Sequence, residues 1–192
     1  MELVERAIIF ATKAHKGMRR KNNLPYILHP VEVAAIVSSM TSDQEVIAAG
    51  ALHDVVEDTE IGIQVIEKEF GKRVAGLVTS ETENKRKELP ADVTWKVRKE
   101  EAMEVLKNTK DINVKILFLS DKLSNLRSIY SNWGKEGPNL WKHFNQKDPV
   151  EQKWYYNSIA NYTQELSDTL AGREYNWLVQ ELFGNISMNK GE

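Results

Sequence analysis

The chain has 192 residues, 41% hydrophobic and 28% charged, with 26 Lys or Arg against 28 Asp or Glu and a formal net charge of −2. That composition describes one globular domain with an ample core, and the near-neutral balance gives no global reason to coat nucleic acid or an anionic membrane. Cysteine is absent, which excludes disulfides, thiolate zinc sites and cysteine nucleophiles and restricts any metal ligands to His, Asp and Glu.

The N-terminal stretch MELVERAIIFATKAHK does not read as a signal peptide, because charges interrupt its short apolar run. No window offers the run of apolar residues that a spanning helix needs. The expected compartment is the cytoplasm.

The dominant period is helical. Leu3, Ala7, Phe10, Ala11 and Ala14 share one face of a first helix. Pro30 fits the first turn of a second, running to about Met40, with His29 just before it. Ser42-Asp43 reads as a helix start, and Gly71 divides two short helices over 63–70 and 72–80. The stretch ETENKRKELPAD, with Pro90 as a breaker, reads as an exposed loop. Thr94 is placed as the cap of a helix running to Asn108, and Asp111 as the start of another carrying VKILFLSDKLSNLRSIY. Gly134, Gly137 and Pro138 mark a second loop. Two further helices fill 149–171 and 173–183, and the tail over 185–192 is expected to fray. No segment has a convincing strand period. The predicted fold is all-α, a single domain over 1–184 of about eight to ten helices.

Three segments carry chemistry. In HDVVEDT, His53 and Glu57 share one helical row, and Asp54 and Asp58 the neighbouring one; a solvated helix end accounts for the same pattern. In LPYILHP, Pro30 disfavours helical backbone at His29 and places it at a helix entrance, aimed into a cleft or held structurally. In FLSDKLSNLRSI, Asp121 and Asn125 share a face of a helix with many apolar neighbours. A carboxylate there needs a partner, either a basic side chain or a metal. Together, His29, His53, Asp54 and Asp121 suit a divalent Mn, Fe, Ni or Zn ion with positions left for water or substrate. The segment KGMRRK sets Lys16, Arg19, Arg20 and Lys21 just before His29; it reads as a solvated charge run, except that the position of Arg20 and Lys21 between two of the segments favours a place to receive phosphates. The cluster from Lys85 to Lys87 reads as a solvated loop. Twelve of the sixteen aromatic residues follow position 117; Tyr155 and Tyr156 among them read as packing between late helices and are left out of the site.

The ordered series His … HD … D resembles the HD superfamily of metal-dependent phosphohydrolases. The longer segments AHKGMRRKNNLPYILHPVEVA, GALHDVVEDT and LSDKLSNLR resemble the hydrolase domain of the RelA/SpoT family, in particular its stand-alone small alarmone hydrolases. The resemblance implies that His29, His53, Asp54 and Asp121 hold a manganese ion. It implies that Glu57 and Asp58 handle the attacking water, that Arg20 and Lys21 contact the nucleotide, and that Asn125 contacts its nucleoside part. Met18, Ala51, Lys122 and Ser124 depart from the family pattern without removing a ligand, and the segment after residue 80 departs further, although it keeps Arg98 and Lys99 as an Arg-Lys pair. The implied activity is release of the 3′-diphosphate of (p)ppGpp as pyrophosphate. The partner expected is a small nucleotide, with neither nucleic acid nor membrane. The alternatives are the same site acting on ppApp, a deoxynucleoside monophosphate or a 3′-phosphorylated cofactor, and a non-catalytic nucleotide-binding module.

Overall fold

The computed structural model describes residues 1–86 and 88–186. Among these, ten α-helices and two 3-10 turns carry the chain, and the β-type pairing is limited to one isolated bridge between Arg19 and Pro25. The all-α expectation holds. No helix among the described residues is long and apolar enough to cross a membrane.

Two helices form the axis of the bundle. α3 (Gln44–Leu52) is buried throughout Val46 to Leu52, because its sequence is apolar on every side after the first two residues. Helices α1 (Leu3–Ala14), α2 (Leu28–Ser38) and α6 (Lys72–Glu81) pack around it. α8 (Ile112–Glu136) is the second axis, buried from Ile116 through Ser124. It lies against α2, α3 and α6 on one side, and against α9 (Pro149–Tyr162) and α10 (Leu170–Phe183) on the other. The one-turn helix α4 (Val55–Asp58) follows α3, and α5 (Ile63–Phe70) precedes α6. α7 (Ala91–Asn108) packs on α8 and α9.

The mutual packing of α2, α3 and α8 is what positions the site. A Cβ at Gly50 would lie 3.1 Å from Val37 Cγ2 and 3.3 Å from the Ala34 Cα. A bare backbone at Gly50 therefore lets α2 and α3 approach this closely. The consequence is that the rings of His29 and His53 come within 5.1 Å, centroid to centroid.

The helix starts read at Asp43 and Asp111 are present. Asp43 accepts the Glu45 N–H at 3.0 Å and Asp111 accepts the Asn113 N–H at 2.9 Å, as N-cap side chains do. Gly71 divides α5 from α6 as expected. Other boundaries are corrected. α2 begins at Leu28 and ends at Ser38, so His29 lies inside its first turn, where its N–H bonds the Tyr26 carbonyl at 3.0 Å. Thr94 is not a cap: α7 starts at Ala91 directly after Pro90, and Thr94 is buried inside it. Gly134 is not in a loop, because α8 continues to Glu136, carrying Trp133 against the core.

The helix expected over 149–171 ends at Tyr162 and is followed by a 3-10 turn, Gln164–Leu166. Thr169 then caps α10, its hydroxyl accepting the Gly172 N–H at 2.9 Å. Gly172 was read as a break, but its role is close approach. A Cβ there would lie 2.0 Å from the Leu166 carbonyl oxygen. Of the tail expected to fray, residues 187–192 lie outside the described residues, while Ile186 packs against the core.

Gly172→Ala is therefore expected to destabilise the protein by about 1–3 kcal/mol, because the 3-10 turn or α10 must shift to admit the methyl group. Thermal and urea unfolding of the variant beside the wild type check this.

Candidate metal centre and its cleft

His29 comes from the first turn of α2, His53 and Asp54 from the joint between α3 and α4, and Asp121 from the middle of α8. The structure brings all four together. His29 Nε2 lies 3.4 Å from Asp54 Oδ2 and 3.0 Å from Asp121 Oδ1. His53 Nε2 lies 3.1 and 3.6 Å from the same two oxygens. HDVVEDT is not one continuous helix, but His53 and Asp54 keep right-handed helical backbone between α3 and α4, so the side-chain rows survive the joint.

The other ring nitrogens explain which way the imidazoles face. His53 Nδ1 is 2.8 Å from the Gly50 carbonyl. A carbonyl can only accept, so Nδ1 carries the proton. His29 Nδ1 is 2.7 Å from Ser124 Oγ, and Ser124 donates its one proton to Glu32 Oε2 at 2.7 Å. Ser124 must therefore accept from His29, and again Nδ1 carries the proton. Both Nε2 lone pairs then point at the carboxylates. Among the described residues, buried His53 Nε2 has no hydrogen-bond partner. The four His–carboxylate separations of 3.0–3.6 Å match neighbouring ligands around a divalent ion with bonds of about 2.0–2.2 Å, and the ligand atoms of His29, His53 and Asp121 all lie within 4.8 Å of one another, with Asp54 beside both imidazoles. The donor set fits a borderline first-row cation. The second partner on each imidazole is the outer support such ligands normally have.

The field at this point is cation-seeking. Burial alone would strip His53 of a proton, yet Asp54 and Asp121 outweigh it and raise its affinity for one. Burial likewise opposes the charge on Asp121, and Lys122, His29 and His53 together hold it well below the ordinary carboxylate range. Lys122 is buried behind the ligands and bonds Asp121 Oδ2 directly. It also lies 3.4 Å from Glu81 Oε1, whose other oxygen is buried without a partner. Burial pushes Glu81 up to about 8, with Lys122 opposing.

Glu57 and Asp58 stand at the mouth, on α4. Burial, then Asp54 and Glu83, raises the Glu57 carboxyl above its ordinary range, with Lys85 opposing. The loop read as exposed and solvated in fact folds over this edge. The Glu83 N–H donates to Glu57 Oε2 at 3.0 Å, and Glu83 binds Arg98 at 2.8 Å and Lys99 at 2.6 Å. Lys85 lies 3.4 Å from Glu57 Oε1 and bonds Asp58 Oδ1. The reading of Lys85 as merely solvated is thus corrected. The loop is held inward by the α4 carboxylates Glu57 and Asp58, which meet the Glu83 N–H and Lys85, and a sequence does not display that neighbourhood. Lys87 lies outside the described residues.

The basic segment forms a hairpin-like turn, with Arg20 N–H to the Leu24 carbonyl at 2.9 Å and Tyr26 N–H to the Met18 carbonyl at 3.0 Å. Arg20 donates to Asn125 Oδ1 at 3.0 Å, and Asn125 donates to Asp121 Oδ1 at 2.9 Å. Lys21 reaches the His143 carbonyl at 2.8 Å and stands over the Phe144 ring. Lys16 is exposed, and Arg19 is bonded to the Asn23 carbonyl at the cleft rim. The cleft itself is about 730 Å³, and the four candidate ligands, Glu57, Asp58, Arg20, Lys21, Lys85, Lys99 and Tyr156 are among the residues that line it. Tyr155 and Tyr156 are buried, as packing residues should be, although Tyr156 also touches the cleft wall.

Sequence reasoning missed Tyr26, Glu81, Glu83 and the inner cation Lys122. Tyr26 donates to Asp54 Oδ2 at 2.7 Å and stacks on buried His15, ring centroids 5.0 Å apart. Its place three residues before His29 was the available signal. Lys122 and Ser124 were noticed only as departures from a pattern.

Ser124→Ala removes the acceptor that fixes the His29 tautomer. It is expected to weaken divalent-ion affinity about 10–100-fold with helicity unchanged, as read by calorimetric Mn titration beside circular dichroism.

The chain is 40% identical over 127 residues to a probable guanosine-3′,5′-bis(diphosphate) 3′-pyrophosphohydrolase of Synechocystis, covering 66% of this chain and 17% of that protein. It is 35% identical over 129 residues to the Aquifex aeolicus guanosine-3′,5′-bis(diphosphate) 3′-pyrophosphohydrolase, covering 67% and 18%. The chain thus spans less than a fifth of the length of these relatives. Among solved structures, lmo0812 of Listeria monocytogenes superposes with a TM-score of 0.70 at 35% identity, over 83% of this chain and 96% of that one. A metazoan ortholog of SpoT that hydrolyses ppGpp shares the fold at a TM-score of 0.72 and 24% identity, over 98% of both chains. The HD-domain family matches residues 7–151, most of the chain and the whole span from His29 to Asp121, and the protein belongs to that family.

Proposed function

We propose that the protein is a Mn-dependent pyrophosphohydrolase that cleaves the 3′-diphosphate from (p)ppGpp, giving GDP or GTP and pyrophosphate. The observation that carries this reading is the convergence of four acceptor atoms of His29, His53, Asp54 and Asp121 at the inner end of a cleft rimmed by Arg20, Lys21, Lys85 and Lys99. A cation-seeking point beneath a cationic rim suits a polyphosphate ester whose reacting phosphorus meets the inner end. The named activities of the Synechocystis and Aquifex relatives support the substrate class. The reading takes residues 1–184 as one catalytic unit, the partner as a small nucleotide and not nucleic acid or membrane, and the compartment as the cytoplasm.

A divalent ion held by those four side chains supplies Lewis acidity and makes water a better acid. The chain's own groups do the rest. Glu57, its carboxyl raised by burial, is suited to take a proton from the attacking water, with Asp58 beside it. Arg20, aimed by Asn125, and Lys21 stabilise phosphate charge as the bond to the ribose 3′ oxygen breaks. Asn125 also faces the nucleoside. Tyr26 holds Asp54 in place.

The test is a panel of purified protein, chelator or Mn, and ppGpp, pppGpp, ppApp and deoxynucleoside monophosphates, with pyrophosphate and phosphate detected separately. Pyrophosphate from ppGpp, abolished by EDTA and best restored by Mn, is expected. Rapid orthophosphate release from monophosphates with none from alarmones would assign the site to a nucleotidase.

Glu57→Gln is expected to keep metal binding and lose at least about a hundredfold in turnover. In the wild type the ionised form of Glu57 predominates only above its raised pKa and falls away below it, so the acid limb of kcat/KM should lie above the ordinary glutamate range. Collapse of metal content in the variant would make Glu57 a ligand.

A further inference from the structure

Lys85 differs from the other cations of the cleft in what it holds. Arg20 is bonded to Asn125, Lys99 to Glu83, and Lys122 to Asp121. Lys85 instead contacts Glu57 and Asp58, the two carboxylates that the proposed reaction needs for water. An ammonium group there opposes the reaction in two ways. It opposes the rise that burial gives the Glu57 carboxyl, and it takes up the position a water would need beside the two carboxylates.

The backbone on either side of Lys85 is tethered by contacts that do not involve its own side chain. Glu83 is fixed by Glu57, Arg98 and Lys99. Arg86 is bonded to Asn84 and Glu101. Between these anchors Lys85 carries a flexible four-carbon stem and a point charge with rotatable donors. It is one-third exposed and lines the cleft. Its head can leave the carboxylates while the loop stays in place, and the nearest competing anion in a loaded cleft is the diphosphate itself.

We propose that Lys85 is an exchanged cation: in the free protein it holds Glu57 and Asp58, and on diphosphate binding it passes to a phosphate oxygen and frees the carboxylates for water. Substrate arrival and exposure of the base are then one event. This rests on the reading of the cleft as a diphosphate site, but its test uses binding and not turnover.

The probe is inorganic pyrophosphate, titrated calorimetrically into the Mn-loaded protein. Lys85→Met keeps the stem and loses the charge, and should weaken binding about tenfold or more, the scale of one charge-assisted contact. Lys85→Arg should restore most of the affinity, whereas a loop-packing role would not depend on charge. Asp58→Asn removes a competitor for Lys85 and should tighten pyrophosphate binding severalfold, and that gain should vanish in the Lys85→Met background, as a double-mutant cycle measures. Wild-type affinity in Lys85→Met, or an Asp58→Asn gain of equal size with and without Lys85, would overturn the proposal. Failure of the alarmone panel with this coupling intact would reject the substrate and keep the exchange.

Discussion

Everything at the centre of this protein follows from burying hydrogen-bond acceptors against one another. Two imidazole nitrogens and two carboxylate oxygens converge at 3.0–3.6 Å. Each imidazole has its own proton committed to the opposite side, to Gly50 or Ser124. Such an arrangement is costly unless a positive charge joins it. The three helices that carry it could have packed with apolar side chains at these positions. Instead Gly50 brings α2 against α3, and α8 closes the third side.

The charge is managed in layers around that point. Behind it, buried Lys122 bonds Asp121 and faces Glu81, which burial pushes up to about 8. Lys122 is the stronger partner because its bond to Asp121 keeps it charged, while Glu81 reaches it only at 3.4 Å and leaves one oxygen unpartnered. Outside, Glu57 and Asp58 are balanced by Lys85. Between the two layers, Glu83 gathers Arg98 and Lys99 from α7. These ion pairs are buried or half-buried, so solvent screens them less than it would surface pairs. They tie α6, the following loop and α7 to α4 and α8.

The wall of the cleft is built from segments far apart in sequence. Arg20 meets Asn125, and through it Asp121. Lys21 meets the His143 carbonyl and the Phe144 ring. The short hairpin before α2 is therefore anchored to the middle of α8 and to the 3-10 segment Gly137–His143 that follows that helix. Those contacts aim the basic side chains into the cavity, where an isolated KGMRRK run would otherwise be a solvated stretch of charge.

The sequence by itself determined the class of fold and the chemistry of the centre. Helical periodicity and the capping aspartates Asp43 and Asp111 are local properties, so they were legible. Absence of cysteine left only His, Asp and Glu as ligands, and the motif residues named His29, His53, Asp54 and Asp121. What it did not display were boundaries and partners set by tertiary contact. Gly134 looks like a breaker but lies inside α8, because packing along that helix overrides a local preference. Gly172 looks like a helix end and is a contact point for the Leu166 carbonyl. Lys85 looks like solvated loop and lies on Glu57 and Asp58. Lys122 and Glu81 are far apart in sequence, and neither alone signals burial. Their pairing exists only once α6 is laid against α8, because a buried charge is defined by its neighbours and a sequence lists only residues.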